Sequence, residues 1–192
     1  YLDSATVKER FAFEGTVLRG VPQSEPQWQL ALRFTDSALA DAVGKRYVEM
    51  YLPPETRPRV MAMFDNFVAS FKDGIEQLDG MGTETKKEAQ LKLAALKPKI
   101  AYPDKWRDYS SMKTQPHDLV ANVRASREWS RQQNLAKLGK PVDRDEWSMT
   151  PQTVNASYSP ALNAITIPAA ILQPPFFNVK AEDAVNYGLL GI

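Results

Sequence analysis

The sequence lacks cysteine altogether and has a single histidine, His117, in 192 residues. The missing cysteine excludes disulfide scaffolds, thiol catalysis, Fe–S clusters and cysteine zinc sites. One histidine is too few for a catalytic zinc site, which usually takes two or three, and too few for a two-histidine acid/base pair. A Ser-His-Asp set survives on counts alone, but no Gly-x-Ser-x-Gly elbow occurs to carry a serine hydrolase built on His117. No run of about 18 apolar residues is present, so the chain has no transmembrane segment. Charge of one sign is also missing: 24 Lys+Arg face 23 Asp+Glu, for a net charge of +1. Bulk charge therefore recruits neither nucleic acid nor an anionic membrane. The remaining composition, 43% hydrophobic and 24% charged, is that of an ordinary globular protein.

The chain starts at Tyr1 and stops at Leu189-Leu190-Gly191-Ile192, inside an apolar run. Natural termini are more often polar and frayed, so further chain is expected on both sides. An isolated half-domain ending this way is expected to expose apolar surface and dissolve poorly. The lack of cysteine fits a reducing compartment or a bacterial exported protein.

Apolar periodicity predicts several long helices. Trp28, Leu32, Leu39, Val43, Tyr47 and Met50 recur at threes and fours over about 27–51, and Pro53-Pro54 ends that helix. From about Glu55, the residues Val60, Phe64, Phe67, Val68, Phe71, Ile75 and Leu78 form the strongest amphipathic stripe. A third helix starts near Thr83 or Thr85, with Glu88 at capping-box spacing, and Pro98 closes it before a Tyr102-Pro103-Asp104 turn. A fourth runs from about Pro116 to Leu138, followed by a loop over 140–152. Residues 1–20 have no clear period. Val154–Tyr158 and Ala164–Ile167 read as strands joined by a hairpin loop, and a last helix begins near Glu182.

Most candidate sites are better explained structurally. His117 sits in a polar stretch at a helix start, and Asp118 beside it suits a helix N-terminal charge. The Phe64, Phe67 and Phe71 stripe is expected in the core. Lys86, Lys87, Lys97 and Lys99, interleaved with Glu84 and Glu88, read as a solvated helix face. Asp143, Asp145 and Glu146 beside Trp147 read as an exposed loop rather than a glycosidase-like pair.

One segment stands apart. Val154-Asn155-Ala156-Ser157-Tyr158 is followed by Asn163-Ala164-Ile165-Thr166-Ile167-Pro168, and then by a proline-locked pair, Phe176-Phe177. A strand with one open edge offers backbone N–H and C=O groups to an extended peptide. The Asn155 side chain adds an amide that both donates and accepts. Ile171, Phe176 and Phe177 could floor an apolar pocket. Composition alone favours the plainer alternative, a hairpin plus core aromatics.

The stretch Asn155–Phe177 resembles the neprilysin family of zinc metallopeptidases, which includes endothelin-converting enzyme and bacterial oligopeptidase O. The likeness rests on Asn155, Ala156, Tyr158, Asn163, Ile165, Pro168, Ala169, Ile171-Leu172-Gln173-Pro174-Pro175-Phe176-Phe177 and Asn186-Tyr187-Gly188. Upstream, Ala42–Val48, Met81–Lys86, Ile100–Asp104 and Pro141–Trp147 are similar to the family in the same order. Ser157 stands where the family has an aromatic residue, and Gly188-Leu189-Leu190-Gly191-Ile192 replaces its Gly-Gly-Ile-Gly.

The resemblance implies an α+β, predominantly helical fold: the first half of a thermolysin-like catalytic domain (41–192) behind the tail of a helical, cleft-covering domain (1–40). It implies a zinc endopeptidase that cuts oligopeptides on the amino side of apolar residues. Asn155 and Ala156 would hold the substrate backbone, and Ile171, Phe176 and Phe177 would line the pocket after the scissile bond. The zinc ligands and catalytic Glu would lie on an H-E-x-x-H helix beyond this chain and on a later Glu, so no catalytic or metal-binding residue is expected here. The expected partners are a peptide substrate and the C-terminal remainder of the same protein, with no nucleic acid and no membrane segment. The expected location is outside the cytoplasm of a bacterium, periplasmic or secreted. A different class of function, a helical peptide-binding module without metal, fits the same residues if no H-E-x-x-H follows.

Overall fold

The computed structural model describes residues 3–190 and divides after Ala38 into two compact units. The first unit starts with α1 (Ser4–Arg10). The Asp3 carboxylate caps it by accepting from Thr6 N–H at 2.9 Å. The helix widens into a π-helical stretch, Phe11–Val17. Gly15 is buried there because the Phe11 ring lies where its Cβ would be, with a ring carbon 2.6 Å away. This regular structure was not legible in the aperiodic sequence. α2 (Gln27–Ala38) completes the unit.

The single helix expected over 27–51 is two helices, broken at Leu39 (φ −128°, ψ 35°). Near the break, the Thr35 and Ser37 hydroxyls donate to the Ala31 and Phe34 carbonyls, at 3.0 and 2.8 Å. Such side-chain bonds compete with the helix ladder.

The second unit is α+β and mostly helical. α3 (Ala40–Tyr51) leads through Pro53-Pro54 into α4 (Thr56–Gln77), the longest element. α5 (Thr83–Ala94) runs back along the end of α4, where Lys86 Nζ donates to Glu76 O at 2.7 Å and Gln90 Nε2 to Lys72 O at 3.0 Å. The capping box expected at its start is not formed: Gly82 is the N-cap and makes no side-chain bond.

Next comes a strand where Pro98 was expected to close α5. β1 (Lys97–Ala101) pairs in parallel with β3 (Ala164–Pro168), which pairs antiparallel with β2 (Ser157–Ser159). The order β1-β3-β2 puts β3 in the centre. Pro98 lacks an N–H and so read as a stop, but it is tolerated because β1 is an outer strand. Lys97 and Lys99 therefore lie on a strand, not on the solvated helix face expected for them. α6 (Leu119–Leu135) lies between β1 and the hairpin, and α7 (Asp183–Leu190) ends the described chain. The Asp118 carboxylate caps α6, accepting from Ala121 N–H at 2.9 Å, and His117 precedes it in an exposed turn at φ 65°.

The core of this unit gathers Val60 and Met63 of α4, Ile100 and Ala101 of β1, and Ala169, Leu172 and Phe177 beyond β3. The expected Phe stripe is not part of it. Phe67 and Phe71 are 44% and 54% exposed and lie tilted against each other, with centroids 5.3 Å apart. α4 buries its first two turns against the sheet and Ile75 near α5, which leaves the middle of the stripe uncovered.

Candidate functional site: the hairpin and the segment behind it

The hairpin differs slightly from its expected bounds. β2 begins at Ser157, so Asn155 and Ala156 precede the strand rather than lie in it. Both are exposed. The Asn155 carboxamide oxygen accepts from Ala156 N–H at 2.8 Å. β2 is an outer strand: its described pairing is with β3 alone, in the register Ser157↔Thr166, Tyr158↔Ile165 and Ser159↔Ala164. Tyr158, 44% exposed, donates from its hydroxyl to Asn163 Oδ1 at 3.1 Å. The buried alternate residues Ala164, Thr166 and Pro168 anchor β3 and leave β2 on the rim.

Past β3 the chain turns into the core. The three residues expected to floor a pocket have unequal surroundings. Phe177 is 1% exposed and belongs to the core, Ile171 is half-buried against it, and Phe176 is 43% exposed. A surface cavity of about 200 Å³ opens beside Phe177, walled by Tyr51, Pro53, Thr56, Leu172 and Pro174. Neither Ile171 nor Phe176 lines it. Gln173 Nε2 donates to the Tyr47 hydroxyl at 2.8 Å, tying this segment to α3, and burial raises the Tyr47 pKa.

Several further residues shape the region: Asn186 and Tyr187 belong to a family-like motif, whereas Arg59 and Lys99 lie outside all of them. Arg59 of α4 donates to the Val179 carbonyl, to Ala181 O at 2.5 Å and to Asp183 Oδ1 at 2.7 Å, and so clamps the turn that leads into α7. Asn186, fully buried, accepts from Asn178 N–H at 3.0 Å and donates to its carbonyl at 3.0 Å. The Asn66 amide donates to the Tyr187 hydroxyl at 2.9 Å. Lys99 is 5% exposed on β1, and its ammonium donates to Glu146 O at 2.6 Å. Burial first, and Lys97 beside it second, push the Lys99 pKa below its ordinary value. A one-letter reading of Arg59 or Lys99 shows only a surface cation. The long-range partners, some 120 residues away for Arg59, are what give it a role.

Among the described residues, no three His, Cys, Asp or Glu side chains come together to hold a metal ion. The residues present do not fit a zinc site. Among the described residues, too, no helix is long and apolar enough to cross a membrane. What the arrangement offers chemically is an open strand edge with an amide side chain at its start, set beside an aromatic segment.

Comparison with known proteins bears on the same regions. Two family profiles, both described as Peptidase family M13, match residues 1–103 and 155–192. Neprilysin-11 of Caenorhabditis elegans is 35% identical over 183 residues, 91% of this chain and 22% of that protein. Neprilysin of Homo sapiens is 32% identical over 198 residues, covering 98% of this chain and 26% of its own length. Among solved structures, the zinc metalloprotease ZMP1 of Mycobacterium tuberculosis in complex with an inhibitor superposes with a TM-score of 0.88 at 43% identity, over 99% of this chain and 28% of that one. PEPO from Lactobacillus rhamnosis HN001 gives 0.82 at 30% identity, over 94% and 29%. The chain thus spans about a quarter of the length of the proteins it matches.

Proposed function

We propose, because the chain belongs to peptidase family M13, that it supplies the peptide-holding part of a neprilysin-type zinc metalloendopeptidase. The peptide lies along the outer edge of β2 as an added strand. Its backbone is held at Asn155 and Ala156, and its apolar side chain after the scissile bond is received near Ile171, Phe176 and Phe177. The observation that carries this reading is the position of β2: an outer strand, directly preceded by Asn155 and Ala156. A strand edge supplies affinity through main-chain hydrogen bonds, and a nearby apolar floor supplies selectivity. Residues 1–40 would be the tail of the helical domain over the cleft, and 41–192 the first part of the catalytic domain.

The zinc and the residues that activate water would come from the C-terminal remainder of the protein, and this chain alone would be inactive. The work of this chain is to bind and orient the peptide. The mycobacterial and lactobacillar neighbours support a bacterial source, and we place the enzyme outside the cytoplasm, periplasmic or secreted.

The test is steady-state kinetics of the full-length gene product, zinc-loaded, on a quenched peptide with Leu or Phe after the cleavage point. Asn155→Ala should raise KM about tenfold or more through the lost backbone contacts. An unchanged KM, with kcat also intact, would remove Asn155 from the site.

A further inference from the structure

We infer that Arg144 is a positioning residue that pins the β2–β3 hairpin, and with it the edge beside Asn155, to the end of α5. This rests on the reading of β2 as the peptide-holding edge. Arg144 lies in the 140–152 loop, within the Pro141–Trp147 stretch that resembles the family, and the resemblance assigns it no role. Its guanidinium reaches three main-chain carbonyls on two elements. Nε donates to Leu162 O at 3.0 Å, and one terminal nitrogen donates to Ala95 O at 2.8 Å and Asn163 O at 3.4 Å. Ala95 is the C-cap of α5, where carbonyls lack helical partners and a cation is favoured. Leu162 and Asn163 close the turn that enters β3.

A second pin runs in parallel. Asn163, held at φ 45°, donates from its amide to Lys92 O of α5 at 2.7 Å and accepts the Tyr158 hydroxyl of β2. Its carbonyl also accepts Lys97 N–H at 2.9 Å, which links the turn to β1. The loop that carries Arg144 is itself laced down. Asp145 pairs with Lys97, Glu146 O accepts from Lys99, and Asp143 Oδ1 accepts Asp145 N–H at 2.8 Å. The fork is therefore held in place from its own backbone before it meets the hairpin.

The arrangement matters because β2 is three residues long and pairs with one neighbour. β3 is anchored by β1 on its other side, but a rim strand as short as β2 has few ladder bonds of its own, so contacts at its turn carry much of its order. If the pins are lost, the rim strand must be ordered each time a peptide adds to it, and binding weakens while the chemical step is unchanged. Lysine cannot replace the arginine. Its donors radiate from one atom and cannot span Ala95 and Leu162, whereas the guanidinium is a rigid fork.

The experiment uses the full-length gene product as wild type, Arg144→Ala and Arg144→Lys. It reads amide hydrogen exchange at 157–167, and KM and kcat on the quenched peptide. In both variants, exchange of the 157–159 amides that bond to β3 should rise about tenfold while the amides by which β1 bonds to β3 keep their protection. KM should rise roughly three- to tenfold with kcat within about twofold. Unchanged exchange at 157–159 overturns the inference, as does faster exchange with an unchanged KM, or recovery of both by lysine. If the wild-type protein cleaves no peptide, the peptidase reading fails, and the exchange data alone then decide whether Arg144 holds the hairpin.

Discussion

Truncating Phe177 to alanine should unfold the second unit far more readily than the same change at Phe176. The two rings are adjacent in sequence and equal in chemistry, so the comparison isolates environment. Phe177 is 1% exposed and packs among Val60, Met63, Ile100, Ala101, Ala169 and Leu172. Removing a fully buried Phe ring costs about 3–5 kcal/mol, from lost transfer energy and the cavity left behind. For a unit of this size, each kcal/mol lowers Tm by roughly 2–4 °C, so a drop of about 6–20 °C is expected. Phe176 is 43% exposed and should cost less than about 1 kcal/mol. Urea and thermal unfolding, followed by circular dichroism, give both numbers. Phe177→Leu refills much of the volume and should recover part of the loss. Equal losses at 176 and 177, or a larger loss at 176, would refute the assignment of Phe177 to the core. Because it stands free of the core, Phe176 is also the member of the pair that can meet a ligand, so Phe176→Ala should alter peptide selectivity with little change in Tm.

Three further perturbations test other parts of the account. Gly44→Ala would put a Cβ 2.7 Å from the Gln152 side-chain oxygen and 2.8 Å from Pro151 Cδ, and should cost about 1–3 kcal/mol in urea unfolding. Arg59→Ala frees the Val179 and Ala181 carbonyls and Asp183, so a loss of about 1.5–3 kcal/mol should appear in hydrogen exchange confined to 178–190. Lys99 gives a pH signature. Its folded pKa lies below the ordinary 10.5, chiefly through burial, so between the two values the unfolded chain binds more protons and stability rises with pH. The stability of wild type relative to Lys99→Met should therefore climb as pH approaches 10.5, and a flat difference would contradict the burial of the charge.

How much of this was legible depended on whether a residue's role was local. α4 and α6 followed from apolar spacing, whereas Asp118, expected as a charge inside a helix from about Pro116, is that helix's cap. The hairpin followed from alternation around Ser159–Asn163, with β2 starting at Ser157, three residues later than expected and after the Asn155 side chain has accepted from Ala156 N–H. β1 was hidden: Lys97-Pro98-Lys99 reads as a polar breaker, and its strand character comes entirely from pairing with β3, more than sixty residues on. The Phe67 and Phe71 stripe failed the other way, since helical spacing shows that a face is apolar but not that something covers it. The ordered motifs from Asn155 to Gly188 carried the family. The residues that hold those motifs in place, Arg59, Lys99 and Arg144, act through carbonyls far away in sequence, and a single sequence cannot show such contacts.

The central claim is that this chain holds peptides for a neprilysin-type metallopeptidase. The most direct measurement is mass-spectrometric mapping of cleavage sites made in a mixed oligopeptide set by the zinc-loaded full-length gene product, with and without a chelator. The account predicts cuts on the amino side of Leu, Ile, Phe and similar residues, abolished by the chelator and restored by zinc. Intact peptides under both conditions, or cuts that ignore the following side chain and survive chelation, would contradict it.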